Sequence, residues 1–190
     1  MTTTTLPSKK QIINGVDAAA LRQLIDDVAT SPKNRIVRFA VGTEWAGGTK
    51  SETRVSGYEF GGQRVAKDFT IKVDEPCELG GQNTSANPQE LLLASFNACM
   101  IVGYVAGAAL HGIELESLSV ESTGQLDVRG FFGLEPSVKP GYEQIHYTVR
   151  IKGSGTPEQF AKIHEQVKAT SPNRWMIANP VKLSADLVVE

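Results

Sequence analysis

The sequence predicts an α+β fold in which antiparallel sheets pack around one long, buried central helix. Three observations predict it. First, Leu91 to Leu110 is a run of 20 residues without a charge. It is bounded by Asn87-Pro88-Gln89-Glu90 and by His111-Gly112. Second, the segments between Arg35 and Val73 alternate or carry β-branched residues, and glycine pairs separate them. Third, more strand-like segments follow the apolar run before the last helices begin. Strands grouped apart from helices favour α+β over a doubly wound sheet.

The elements follow in order. Residues 1–13 read as a loose arm, and Asp17 can cap a helix running to about Ala29. That helix carries its apolar stripe at Ala20, Leu21, Leu24, Ile25 and Val28, and Ser31-Pro32 ends it. Arg35–Val41, Thr53–Tyr58 and Val65–Val73 read as a meander, with turns at Gly47-Gly48 and Gly61-Gly62. Asp74–Ala86 is a loop. Asn87 suits the N-cap of the apolar helix, Pro88 its first position, and Glu90 completes a capping box. Gly112 suits a left-handed cap. Ile113–Val128 and Tyr142–Ile151 read as strands around a loop. Thr156-Pro157-Glu158-Gln159 opens a second capped helix, with Phe160, Ile163, His164 and Val167 on one side. Ser171-Pro172 starts a short turn through Trp175 and Ile177, Asn179-Pro180 stops it, and Val181–Val189 reads as a last strand. The organisation expected is an N-terminal arm and extra helix (1–34) and one domain (35–190).

Composition narrows the function. The net charge is −2 with the signs interspersed, and no Lys/Arg cluster points to nucleic acid or an anionic membrane as partner. Two cysteines, Cys77 and Cys99, are too few for a disulfide scaffold. Free thiols in a cytoplasmic protein are expected, and the N-terminus shows no apolar core of a secretory signal. Leu91–Leu110 is long enough to span a bilayer, but it carries Ser95 and Asn97 and no second such segment exists. It reads as a core helix, with Gly103 and Gly107 admitting another helix closely. His111 suits a helix C-terminus, and His164 suits a satisfied core position. Three scattered histidines with two distant cysteines give no metal-ligand spacing. No phosphate loop, dinucleotide fingerprint or nucleophile elbow is present, so neither metal nor cofactor is expected. Trp45, Trp175, Phe131 and Phe132 read as aromatic core.

The stretch Asp74-Glu75-Pro76, Gly80-Gly81 and Asn87-Pro88-Gln89-Glu90-Leu91-Leu92-Leu93-Ala94 to Ala98-Cys99 resembles the OsmC-like (osmotically inducible protein C) family. So do the His111-Gly112-Ile113 exit and the segment from Ser171-Pro172 to Asn179-Pro180-Val181. The resemblance implies an intertwined homodimer. It also implies, for the peroxide-reducing branch, a helix cysteine that attacks a hydroperoxide and a second cysteine that resolves the sulfenic acid.

On that resemblance Cys99 matches the attacking cysteine. Attack needs a thiolate, and hence a depressed pKa or a cation nearby. Gln89 stands where the peroxidases carry Glu, Lys50 follows Gly47-Gly48 where they carry Arg, and Arg54 is an alternative cation. Ser171 stands where many members carry the second cysteine, and a hydroxyl cannot close a disulfide. Two readings result. One is a thiol-dependent hydroperoxide reductase with a single active cysteine, reset by an external thiol. The other is a dimer without peroxidase chemistry that binds a small hydrophobic ligand in its interfacial pocket.

Overall fold

The computed structural model describes residues 10–189. The chain forms two compact units, Met1–Ala94 and Ser95–Glu190.

The first unit opens with a two-residue hairpin, β1 (Ile12–Ile13) and β2 (Val16–Asp17). Its turn is Asn14-Gly15, both at positive φ, the pairing that tight hairpins favour. Part of the expected arm is therefore paired, and residues 1–9 lie outside the described range. α1 (Ala18–Thr30) starts at Asp17, whose carboxylate accepts from the Ala19 and Ala20 amides. A single 3-10 turn over Pro32–Arg35 follows. β3 (Val37–Phe39) and β4 (Gly42–Trp45) lie end to end along one edge of β5 (Ser51–Phe60). β6 (Gln63–Val73) pairs with the other edge, through the Gly61-Gly62 turn. The segment expected as one strand over 35–41 thus holds the end of that turn and one short strand, β3, and β4 begins just after it.

The loop after β6 is built around Asp74, which is 1% exposed. Its Oδ1 accepts from the Thr49 hydroxyl (2.7 Å) and the Glu75 amide (2.9 Å). Its Oδ2 accepts from the Gln82 amide (3.2 Å), the Thr84 amide (3.1 Å) and the Thr84 hydroxyl (2.8 Å). Hydrogen bonds of this kind favour the ionised form. They hold the Asp74 carboxyl well below the usual carboxylate range, the Thr49 hydroxyl contributing most. Gly81 has to be glycine here, because a Cβ would lie 1.8 Å from the Glu75 carbonyl oxygen.

α2 (Pro88–Leu110) begins in the first unit and continues through the second. The capping box forms as expected: the Glu90 amide donates to Asn87 Oδ1 and the Asn87 amide to Glu90 Oε2, both at 2.8 Å. Gly112, at φ +71°, ends it. By length and composition α2 could cross a bilayer. Most of its buried residues nonetheless trace one face: Phe96, Met100, Tyr104, Gly107 and Ala108. That face belongs to the second unit's core, with Ile113, Ile163 and Val167, and β7 (Leu115–Gly124) and β8 (Ile145–Gly153) pack against it. The other side of α2 is open in the single chain, with Val102 67% exposed.

α3 (Val128–Phe131) is a single turn within the expected loop, capped by Asp127. α4 (Pro157–Thr170) starts on the Thr156/Gln159 capping box. It crosses α2 at the two glycines: a Cβ on Gly103 would sit 3.0 Å from Val167 Cγ1, and one on Gly107 3.0 Å from Ile163 Cγ2. The close helix approach expected from sequence is α4 on α2. α5 (Pro172–Ala178) closes the unit.

Two expectations fail. Val181–Val189 forms no strand. Its alternation has no partner edge among the described residues, so Leu183, Leu187 and Val189 stay more than four-fifths exposed. A strand pattern becomes a strand only when a neighbour takes its hydrogen bonds. Trp45, Trp175, Phe131 and Phe132 are also more than half exposed rather than core, because the elements that carry them are edges and short turns with nothing packed over them in the single chain.

Candidate functional site

Cys99 lies three full turns into α2, between the buried Phe96 and Met100 of the core face. It is half-buried and free. Its sulfur is 3.3 Å from the Ser171 hydroxyl oxygen, a contact across 72 residues of sequence. The structure therefore brings together the two positions the resemblance paired, with a hydroxyl where a second thiol would stand.

Ser171 is fixed on several sides. It ends α4 by donating its amide to the Val167 carbonyl (2.9 Å), and its own carbonyl accepts from the Trp175 amide (3.0 Å). As the N-cap of α5, its Oγ accepts from the Arg174 amide at 3.4 Å. Ser171 is 5% exposed. A hydroxyl has one proton and two lone pairs. With a lone pair facing the Arg174 amide, the proton is available to the sulfur. A thiolate can only accept, so Ser171 is the donor whenever Cys99 is ionised. Charge-assisted bonds of this kind are about twice as strong as neutral ones.

The residues after Ser171 fasten the junction. Asn173 Nδ2 donates to the Ser95 carbonyl on α2 (2.9 Å), and Arg174 Nη1 donates to the Lys168 carbonyl at the end of α4 (2.8 Å). Sequence reading missed both. Their only sequence signal is position just after a Ser-Pro cap.

The other three sequence-predicted residues belong to the first unit. Lys50 Nζ donates to Gln82 Oε1 at 2.6 Å. Lys50 lines a cavity of about 260 Å³ with Gly47, Gly48, Asp74 and Gln82. Arg54 is exposed on β5, at the register position between Gly42 of β4 and Thr70 of β6. Gln89 is half-buried on the first turn of α2. Cys77 is exposed in a 3-10 turn over Cys77–Leu79.

Two histidines fall as expected. His111 Nδ1 bonds the Gly107 carbonyl at 2.8 Å, at the end of α2. His164 Nδ1 bonds the buried Tyr104 hydroxyl. Burial first, then the nearby Tyr147 and Glu165, push the Tyr104 phenol up to about 12. This phenol therefore stays protonated beside the His164 ring nitrogen. Among the described residues no group of His, Cys, Asp and Glu is arranged to hold a metal ion.

Comparison with known proteins bears on the same region. A family model described as OsmC-like protein matches residues 81–186. The uncharacterized protein YmaD of Bacillus subtilis is 25% identical over 126 residues, covering 65% of this chain and 78% of its own. An OsmC-like protein of Mycoplasma pneumoniae superposes with a TM-score of 0.59 at 13% identity, covering 75% of this chain and 89% of that one. An OsmC-like protein of unknown function from Vibrio cholerae gives 0.54 at 14% identity, covering 72% and 91%. At such identities the two structures establish a shared fold.

Proposed function

The chain belongs to the OsmC-like family, and from that premise we propose that it reduces organic hydroperoxides with a single active cysteine, Cys99. One observation carries the reading: the Ser171 hydroxyl, 3.3 Å from the Cys99 sulfur, has its proton available to a thiolate. The thiolate attacks the outer peroxide oxygen. The S–O bond forms as the O–O bond breaks, and the alkoxide leaves to be protonated to the alcohol. Cys99 becomes a sulfenic acid and the peroxide is reduced by two electrons. An external thiol then condenses with the sulfenic acid, releasing water and forming a mixed disulfide. A second thiol frees Cys99 and leaves as the oxidised disulfide. Ser171 supports the thiolate and cannot resolve the product. Lys50, Arg54 and Gln89 enter this reading through the family resemblance alone.

A homodimer is part of the proposal. Phe39, Trp45 and Phe69 of the first unit's sheet are 75%, 79% and 62% exposed, and Val102 of α2 is also open. Apolar exposure on this scale marks an interaction surface. Residues 1–34 are read as an addition to the family domain. Light scattering at micromolar concentration should give twice the chain mass of 20.5 kDa.

The test of chemistry is intact-mass spectrometry after a short pulse of tert-butyl hydroperoxide, with Cys99→Ser and Cys77→Ser as controls. Cys99 should gain one oxygen quickly, and a second under excess peroxide as sulfinic acid accumulates. A Cys99 that stays unmodified at doses that oxidise exposed Cys77 refutes the enzyme and leaves the ligand-binding reading.

A further inference from the structure

We propose that Asn173 is a positioning residue for Cys99, holding the Ser171 hydroxyl against the sulfur through the Ser95 carbonyl; the inference rests on the thiol chemistry proposed above. In an α-helix each carbonyl accepts from the amide four residues on. The Ser95 carbonyl therefore carries the Cys99 amide. A carbonyl oxygen has a second lone pair, and here the Asn173 side-chain amide takes it at 2.9 Å. One oxygen thus joins the backbone of the reacting residue to α5. Two residues earlier in the chain, Ser171 meets the Cys99 side chain at 3.3 Å. The two contacts grip one turn of α2, one through its backbone and one through the sulfur.

Polar bonds have to do this because packing does not. α5 has 7 residues and none of them is buried. Trp175, Met176 and Ile177 remain 56%, 47% and 39% exposed. Arg174 ties α5 to the end of α4 by its bond to the Lys168 carbonyl, but that bond does not touch α2. Without Asn173, the junction can swing about the Ser171 cap. At 3.3 Å the hydroxyl is within ordinary hydrogen-bond length of the larger sulfur atom, and a swing that carries it beyond that reach removes the contact. Misplacement of a reacting group by 1 Å can cost up to about 100-fold in rate. Losing one supporting donor while the helix stays folded should cost about 10-fold.

The experiment uses the full chain in a Cys77→Ser background, so that Cys99 is the only native thiol. It compares Asn173→Ala and Asn173→Asp with Asn179→Ala. Asp keeps the size of Asn but has no proton to give the carbonyl. Asn179 makes an amide-to-carbonyl bond of the same length, 2.9 Å, to Trp175 on the same helix without touching α2. Two quantities are read: the second-order rate of Cys99 oxidation by tert-butyl hydroperoxide, and, with Ser171→Cys added, the rate of diamide-driven cross-linking to Cys99. Both should fall about 10-fold in the two Asn173 variants and stay at the background value in Asn179→Ala, with far-UV circular dichroism unchanged in all three. Background rates in either Asn173 variant, or an equal loss in Asn179→Ala, would overturn the proposal. Cross-linking does not involve peroxide. If the unmodified protein ignores peroxide while cross-linking still depends on Asn173, the peroxidase reading fails and the positioning role stands.

Discussion

Replacing Ser171 by cysteine tests the geometry of the site most directly. The Cys99 sulfur and the Ser171 oxygen are 3.3 Å apart, and a disulfide needs about 2.05 Å between sulfurs. Closure therefore asks for a shift of about 1.3 Å, within reach of side-chain rotation and a small movement of α5. The cross-link would span 72 residues. In the chain-entropy model this corresponds to about −15 cal/mol/K in the unfolded state, or about 4 kcal/mol at 25 °C, less whatever strain closure adds. Losing the serine cap of α5 costs about 1 kcal/mol in both redox forms. The reduced variant should therefore be slightly less stable than the parent. The oxidised variant should exceed its own reduced form by about 4 kcal/mol, which for a chain of this size is roughly 8–16 °C in Tm. The assay is thermal unfolding of the Cys77→Ser, Ser171→Cys protein with and without reductant, together with peptide mass mapping of the bridge. Oxidised and reduced forms that melt together, or diamide treatment that yields no bridge to Cys99, would refute the placement of Ser171 over the sulfur.

Three further outcomes follow from the two units. Gly103→Val should cost about 1–3 kcal/mol by overpacking α2 against Val167, where even a Cβ lies 3.0 Å from Cγ1; an unchanged urea midpoint would refute the close crossing of α2 and α4. The Tyr104 phenol titrates at about 12 in the folded chain against 10.0 for the free group. The folded state thus holds this proton longer than the unfolded state does, and its contribution is full below about pH 10 and lost as pH rises through about 12. Tyr104→Phe should remove that share of the alkaline decline, read as urea midpoints between about pH 10 and 12. Asp74 has the opposite sign: its carboxyl is lowered by its donors, so its contribution is present above the usual carboxylate range and lost on acidification. Asp74→Asn should weaken hydrogen-exchange protection of the Gln82 and Thr84 amides near neutral pH; full protection would show that the carboxylate does not hold this loop.

The sequence by itself determined what short-range chemistry controls. The Asn87/Glu90 and Thr156/Gln159 boxes, the Asp17 cap and the Gly112 exit each depend on partners within a few residues, so their signatures are complete in the local string. The α+β class was readable for the same reason, from the grouping of alternating segments around one uncharged run. Gly103 and Gly107 signalled a close helix, but not which one. Tertiary structure decided that it is α4, because Val167 and Ile163 fill the space the glycines leave. It also decided that Trp45 and Trp175 face outward, and that the alternation of Val181–Val189 finds no partner. A pattern shows which side of a segment is apolar, but not whether a neighbouring edge arrives to cover it. The same holds at the candidate site. Ser171 and Cys99 were aligned only by family resemblance, and their 3.3 Å contact exists because α4 returns along α2 and delivers its end beside Cys99. Beyond its place after the Ser-Pro cap, Asn173 carried no signal, because its partner is a backbone carbonyl 78 residues away, and every residue type presents the same carbonyl.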